Sequence, residues 1–302
     1  MPEVAVRPLR DEDVDRWVEL RNEVDPQLPG TSEGLRRWIE TERTVRHVLG
    51  YLDEEPVGVA YAQEQGDLRG TDVATGFIGV VVAARAHGVG SALYAAISEH
   101  ARAIGKARLQ VDTWEDEHDG LAFLERRGFV EVERFARVRL DVADAEITPF
   151  EPPAGVELVP LAGHEHLARS MYDTAVEAYA DMPSTDPIES SFDDFRDREV
   201  DRPGLSPELS VLALAGDDVV GFGTIDRHGD DHWHSLTAVR RAWRRRGVAS
   251  AIKRAQIAAA KTAGVTSLTT FSEKRNVAMR ALNERLGYRP LPDQVRLRGP
   301  LA

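Results

Sequence analysis

The chain contains no cysteine, which excludes disulfides, thiolate metal sites and a cysteine nucleophile. It lacks any uninterrupted apolar run of the roughly 18 residues that a membrane span needs. Positive charge is scarce: 38 lysines and arginines face 51 aspartates and glutamates, a formal net charge of −13. That balance argues against general affinity for nucleic acid or an anionic membrane, so any anion site must be local. The opening residues Met1 to Arg7 lack the basic-then-apolar layout of a signal peptide, and a cytoplasmic location is expected.

What is present is an ordinary globular composition, 42% apolar and 29% charged, in 302 residues, enough for two domains. The chain repeats itself. "GVGSALYAAISEHARAIG" from Gly88 matches "GVASAIKRAQIAAAKTAG" from Gly247, and "FLERRGF" from Phe123 matches "LNERLGY" from Leu282. Gly88 and Gly247 stand 159 residues apart, as do Gly128 and Gly287. Between the copies, Pro149, Pro152, Pro153 and Gly155 read as a linker. The expected division is a first domain over 1–146, a linker over 147–155 and a second domain over 156–302.

Each copy follows one coarse pattern. A short strand (4–8; 156–160) precedes amphipathic helices (12–24 and 32–42; 165–179 and 192–199). Three strand-like runs follow (45–52, 57–63 and 75–82; 209–215, 219–225 and 233–239). Then come a long helix at the glycine motif, a strand (109–113; 267–271), a second helix and terminal strands. Strands and helices mix without a strict βαβ rhythm, which predicts a mixed α/β (α+β) domain.

Both copies carry Arg-x-x-Gly-x-small between a strand and the long helix: Arg85 to Gly90, and Arg244 to Ala249. Small residues let a backbone approach an anion, and the unpaired amides of a first helical turn point at it with the helix dipole behind them. Nearby arginines add paired donors for phosphate. Gly-Lys-Ser/Thr is missing, so this is no Walker loop, and a third glycine is missing, so it is no Rossmann fingerprint. The second turn is arginine-rich, with Arg240, Arg241, Arg244, Arg245 and Arg246; the first has Arg85 and His87 among alanines. The C-terminal copy is therefore expected to be the tighter anion site.

The turn resembles the acyl-CoA pyrophosphate loop of the GNAT N-acetyltransferase superfamily. The block from Thr237 to Tyr288 is similar to that family along its whole length, including Asn276, Met279, Asn283 and Leu286-Gly287-Tyr288. The resemblance implies two tandem GNAT-like domains, each a mixed, mostly antiparallel sheet flanked by helices. It implies acetyl-CoA as cosubstrate and a small-molecule amine as acceptor, in a monomer or homodimer. Expected cofactor-binding residues are Thr237, Ala238, Val239, Arg244, Arg245, Arg246, Gly247, Val248, Ala249, Ser250, Asn276 and Asn283. In the first copy they are Val80, Val81, Val82, Arg85, Gly88, Val89, Gly90 and Ser91.

In this family the amine attacks the thioester directly, and a tyrosine four residues before the Gly-Phe/Tyr pair serves as acid. Here that position holds Leu124 and Asn283. Leucine cannot donate a proton, so the C-terminal domain is expected to bind acetyl-CoA tightly and to be the catalytic one, and the N-terminal domain to bind weakly or be mainly architectural. Asn283, the second catalytic candidate beside His234, can hydrogen-bond the sulfur or pantetheine without being an acid. Asn276 reads equally as a helix cap or a cofactor contact. For the base, His232 and His234 alternate with Trp233 on a strand, and His234 is the expected catalytic base. Asp226 or Asp231 acting through water is the alternative, and no metal is expected. The acidic stretch 179–199 suits a cationic acceptor or simply a solvated face. Mycothiol synthase or another amino-sugar acetyltransferase is a second enzyme reading, and a CoA-binding module without turnover is a third.

Overall fold

The computed structural model describes residues 2–64, 68, 70–145, 150–185, 188, 190–228 and 231–302. The chain divides into two compact units, residues 1–132 with 294–302, and residues 133–293.

In the first unit β1 (Val4–Pro8), α1 (Val14–Val24), α2 (Ser32–Thr41), β2 (Arg46–Leu52), β3 (Glu55–Gln63) and β4 (Val73–Val80) lead to α3 (Val89–Ala103). β5 (Arg108–Trp114) and α4 (His118–Glu125) follow. The chain enters the second unit within β6 (Val130–Asp141). There β7 (Glu157–Pro160), α5 (Ala168–Tyr179), α6 (Phe192–Glu199), β8 (Val211–Ala215), β9 (Asp218–His228) and β10 (Asp231–Val239) precede α7 (Val248–Thr262). β11 (Ser267–Glu273), α8 (Val277–Arg285) and the two-residue β12 (Arg289–Pro290) complete it, and β13 (Gln294–Pro300) returns to the first unit.

Within each unit the neighbouring strands are antiparallel except for one parallel pair, β4 with β5 in the first unit and β10 with β11 in the second. Helices cover both faces. In the first unit Val14, Trp17, Leu20 and Leu35 from α1 and α2 pack one face, and Leu93, Ile97 and Ala101 from α3 pack the other. In the second, Met171, Ala175 and Phe195 oppose Ile252, Ile257 and Ala260. Glycines set how closely the long helices approach: a Cβ on Gly50 would meet Val89 at 2.8 Å, and one on Gly221 would meet Val248 at 3.0 Å. That approach fixes the helix start against the strand ends.

The expected division at 147–155 differs from the one observed. Residues 147–149 lie outside the described residues, and 150–155 form no regular element. The two units part instead at residue 132, because the last strands are exchanged. β13, from the end of the chain, pairs antiparallel with β5 over Arg108 to Trp114, and Val295, Leu297 and Leu301 join the first unit's core. β6 pairs antiparallel with β11 in the second unit, where Leu140 and Val142 are buried. Equivalent tails confirm equivalent strands: Arg102 donates to the carbonyl of Ala302, and Lys261 to that of Ala143 at 3.3 Å. Sequence copies alone cannot reveal this, since both strands suit either edge.

Candidate functional site

The repeated turn has one backbone conformation in both units. A 3-10 turn (Val82–Ala84; Arg241–Trp243) is followed by a left-handed residue, Ala86 at φ 65° and Arg245 at φ 58°. Gly88 (φ 92°) and Gly247 (φ 90°) then start the helices. The first intrahelical bonds run from Ala92 N to Gly88 O (3.0 Å) and from Ala251 N to Gly247 O (2.9 Å). The amides of Val89, Gly90 and Ser91, and those of Val248, Ala249 and Ser250, therefore have no intrahelical acceptor and remain at the positive end of a 15-residue helix. These are the amides that the sequence reading expects to face an anion.

The signature arginines are held by the backbone. Arg85 Nε donates to Val80 O at 3.2 Å, and Arg244 Nε donates to Val239 O at 2.9 Å. Each caps the last carbonyl of the strand before the turn and so braces the loop instead of projecting from it. Around the second turn, Arg241 and Arg244 also grip Asp181, whose carboxyl they hold down at about 2 through hydrogen bonds. Arg240 turns to Thr174 and Ser170 on α5, at 3.0 and 3.2 Å. The arginine run is thus largely engaged by α5 and the residues just after it. Arg245 and Arg246 stay exposed, Arg246 lying 5.2 Å from the Trp243 ring centroid.

The parallel strands part beside each cradle. β4 and β5 stay paired only through Gly76 and Val111, and β10 and β11 only through His234 and Thr270. Past those points one edge of β4 (Phe77 to Val80), and of β10 (Thr237 to Val239), has lost its strand partner. In the first unit the gap opens into a cleft of 560 Å³. Val80, Gly88, Gly90 and Ser91 line one end; Phe77, Asp25 and Asp112 line the rest. Val81 pairs with Val57 O at 2.9 Å, while Val82 is exposed.

Several cleft groups went unrecognised in the sequence. Arg127 donates to Ser91 Oγ at 2.7 Å, with its guanidinium 3.6 Å from the Phe123 ring centroid, so a cation stands at the helix start. The double arginine before Gly128 was the available signal. Asp25, 7% exposed, accepts from Trp114 Nε1 at 2.9 Å and pairs with Arg21 at 2.9 Å. Asp112 accepts two hydrogen bonds from Arg296, at 2.8 and 2.9 Å. These acids come from different elements, and no spacing rule joins them.

The expected catalytic pair of the second unit sits in its core. His234 is 4% exposed, its Nε2 is 2.6 Å from Tyr288 Oη, and burial pushes it well below the ordinary histidine range. Such a ring faces α7 and no solvent, so the expectation of an accessible base is corrected. Asn283 is 1% exposed and donates to Ser272 Oγ at 3.3 Å. Asn276 caps α8, accepting from Met279 N at 3.2 Å. Asp226 pairs with Arg202 at 2.7 Å, and Asp231 accepts from Ser267 Oγ at 2.7 Å. Among the described residues no three His, Asp or Glu side chains are grouped to hold a metal ion, and no helix is long and apolar enough to cross a membrane.

The chain belongs to the acetyltransferase (GNAT) family, whose model matches residues 8–129 and again 169–288. It is a tandem GNAT acetyltransferase. A tandem GNAT protein from the clavulanic acid biosynthesis pathway has a similar fold, with TM-score 0.79 and 16% identity over 99% of each chain. A GCN5-related N-acetyltransferase from Sphaerobacter thermophilus gives TM-score 0.75 and 19% identity over 99% of this chain and 96% of that one. At these identities the likeness concerns the fold. A search of curated proteins finds no match.

Proposed function

We propose that this chain moves the acetyl group of acetyl-CoA onto a primary amine of a small molecule by direct attack, and that the cofactor seat is in the N-terminal unit. The observation that carries this reading is the 560 Å³ cleft joining the free amides of α3 to Asp25 and Asp112. Its volume is within the range of small-molecule sites. The donor set suits a diphosphate: the amides of Val89, Gly90 and Ser91, the helix dipole, and the Arg126 and Arg127 guanidiniums at the rim.

Acetyl-CoA supplies an activated thioester. Backbone groups on the freed edge of β4 are available to pair with the pantetheine amides and to polarise the thioester carbonyl. Asp25 and Asp112 give the other end of the cleft negative charge, which attracts an ammonium and can take its proton through water. Leu124 is buried where relatives of this family carry an acidic tyrosine, so the departing thiolate takes its proton from solvent or from the attacking amine. Arginine count favours the C-terminal turn, but Arg240, Arg241 and Arg244 are engaged by α5 and Asp181 while Arg245 and Arg246 stay exposed. Arg85 of the first turn is likewise paired, with Asp119 at 3.1 Å; the cleft is therefore the observation that favours the N-terminal unit.

The test is a paired substitution at equivalent exposed or half-exposed helix-start positions, Ser91→Glu and Ser250→Glu. Glutamate in a first turn favours the helix, so folding is not at risk. Acetyl-CoA affinity should fall at least roughly tenfold in S91E, a loss of about 1.4 kcal/mol, and change little in S250E. Loss in S250E alone would move the seat to the C-terminal unit. Thioester consumption with a panel of amines separates an enzyme from a binding module, which would bind acetyl-CoA without turnover.

A further inference from the structure

The second unit holds a cavity of 320 Å³ whose lining excludes the Gly247 turn. It occupies the groove between the middle of α7 and the residues that follow α8. Three guanidinium groups line it, Arg254 from α7, Arg285 from the end of α8 and Arg289 from β12, against an apolar wall of Leu140, Ile257 and Leu286.

Among the described residues none of these three side chains has an ion-pair or hydrogen-bond partner. Several arginines elsewhere in this unit find acids, Arg196 with Asp201, Arg202 with Asp226, and Arg241 and Arg244 with Asp181, whereas Arg245 and Arg246 stay exposed on the Gly247 turn. Two carboxylates also line the cavity. Asp141 is 3.9 Å from Arg139, and Asp144 has no ion pair among the described residues; neither reaches the three guanidiniums. Arg285 alone is accounted for by the negative end of its helix. Arg254 is half-buried in mid-helix, where no such field explains it. Nor is the cluster inherited from the repeat, since the positions 159 residues earlier are Ala95, Arg126 and Val130.

Like charges that converge on one concavity repel, and a multivalent anion relieves the repulsion while filling the planar donor forks. We propose that this cavity binds a small, compact polyanion carrying phosphate or carboxylate groups, held by Arg254, Arg285 and Arg289. Asp141 and Asp144 refuse further negative charge at the rim and so favour a compact ligand over an extended one.

Calorimetric titration of the full chain with inorganic pyrophosphate, and separately with citrate, tests this. Coenzyme A is kept saturating so that the helix-start cradles are occupied. One of the two anions should bind, and its affinity should fall at least roughly tenfold in the double variant R285A/R289A, as loss of charge-assisted hydrogen bonds implies. Both positions are exposed, so the variant should melt with the unaltered chain. Should it melt early, R254Q decides by the same loss. Neither anion binding at millimolar concentration, or binding unchanged in R285A/R289A and R254Q, would overturn the proposal. Because the readout is the substitutions' effect, it stands apart from whether acetyl-CoA occupies the N-terminal cleft.

Discussion

Arg296, in the last strand of the chain, holds both carboxylate oxygens of Asp112 from 184 residues away, at 2.8 and 2.9 Å. The pair lies across β13 and β5, directly opposite in register, and Asp112 lines the N-terminal cleft. The final strand therefore orients a group at the far end of the chain's first domain.

Arg296→Gln removes the charge and the fork while keeping the strand. The pair is partly exposed, so stability should fall by only about 1 kcal/mol. The KM for the amine should rise and the acetyl-CoA affinity should hold, because Asp112 lies away from the α3 amides. An unchanged amine KM would deny Asp112 a part in acceptor binding.

Removing residues 294–302 should unfold the first unit selectively. The deletion takes away a strand pairing along all of β5 and the buried Val295 and Leu297. Hydrogen exchange followed by mass spectrometry should show the amides of β5 and α3 losing protection while those of β10 and β11 keep theirs. Equal protection in both units before and after deletion would contradict the exchanged-strand arrangement.

Trp114→Phe removes the indole N–H that Asp25 accepts and leaves that buried carboxylate to Arg21 alone. A buried group losing one partner costs roughly 1–3 kcal/mol. Denaturant titration of the variant should show that loss, and Trp114→His, which restores a donor, should recover part of it.

Lys253 is 1% exposed, its Nζ has no hydrogen-bond partner among the described residues, and burial pulls it down from 10.5 to about 7. Between those values the unfolded chain binds the proton and the folded chain does not, so stability rises with pH across that window. His234 adds the same sign below its ordinary 6.5, where stability falls with acid. Lys253→Met should remove the upper slope and raise the melting temperature at neutral pH, by roughly 2–4 °C per kcal/mol recovered. Thermal melts at several pH values check both; a variant that melts lower at neutral pH would mean that Lys253 has a compensating partner.

The local order of the fold was legible because it is written in local signals. The Ser32 and Phe192 helix starts, the β1 strand and the helix starts at Gly88 and Gly247 follow from caps, alternation and positive-φ glycines. Asn276 as a cap was readable for the same reason. The disposition of the arginine run was not legible, since composition counts charges and does not say which way side chains turn; α5 and Asp181 engage Arg240, Arg241 and Arg244 and leave Arg245 and Arg246 exposed. His234 misled because alternation names a face but not what covers it, and α7 covers it with Lys253.

By itself the sequence determined two copies of one mixed domain, each with amides lacking an intrahelical acceptor where its longest helix begins, because turn chemistry and periodicity act over a few residues. Only the tertiary structure decided which final strand completes which sheet, which arginines face inward, and which residues line the cleft of the first copy. Those outcomes depend on contacts between segments over a hundred residues apart, where many pairings satisfy the local rules and packing selects one.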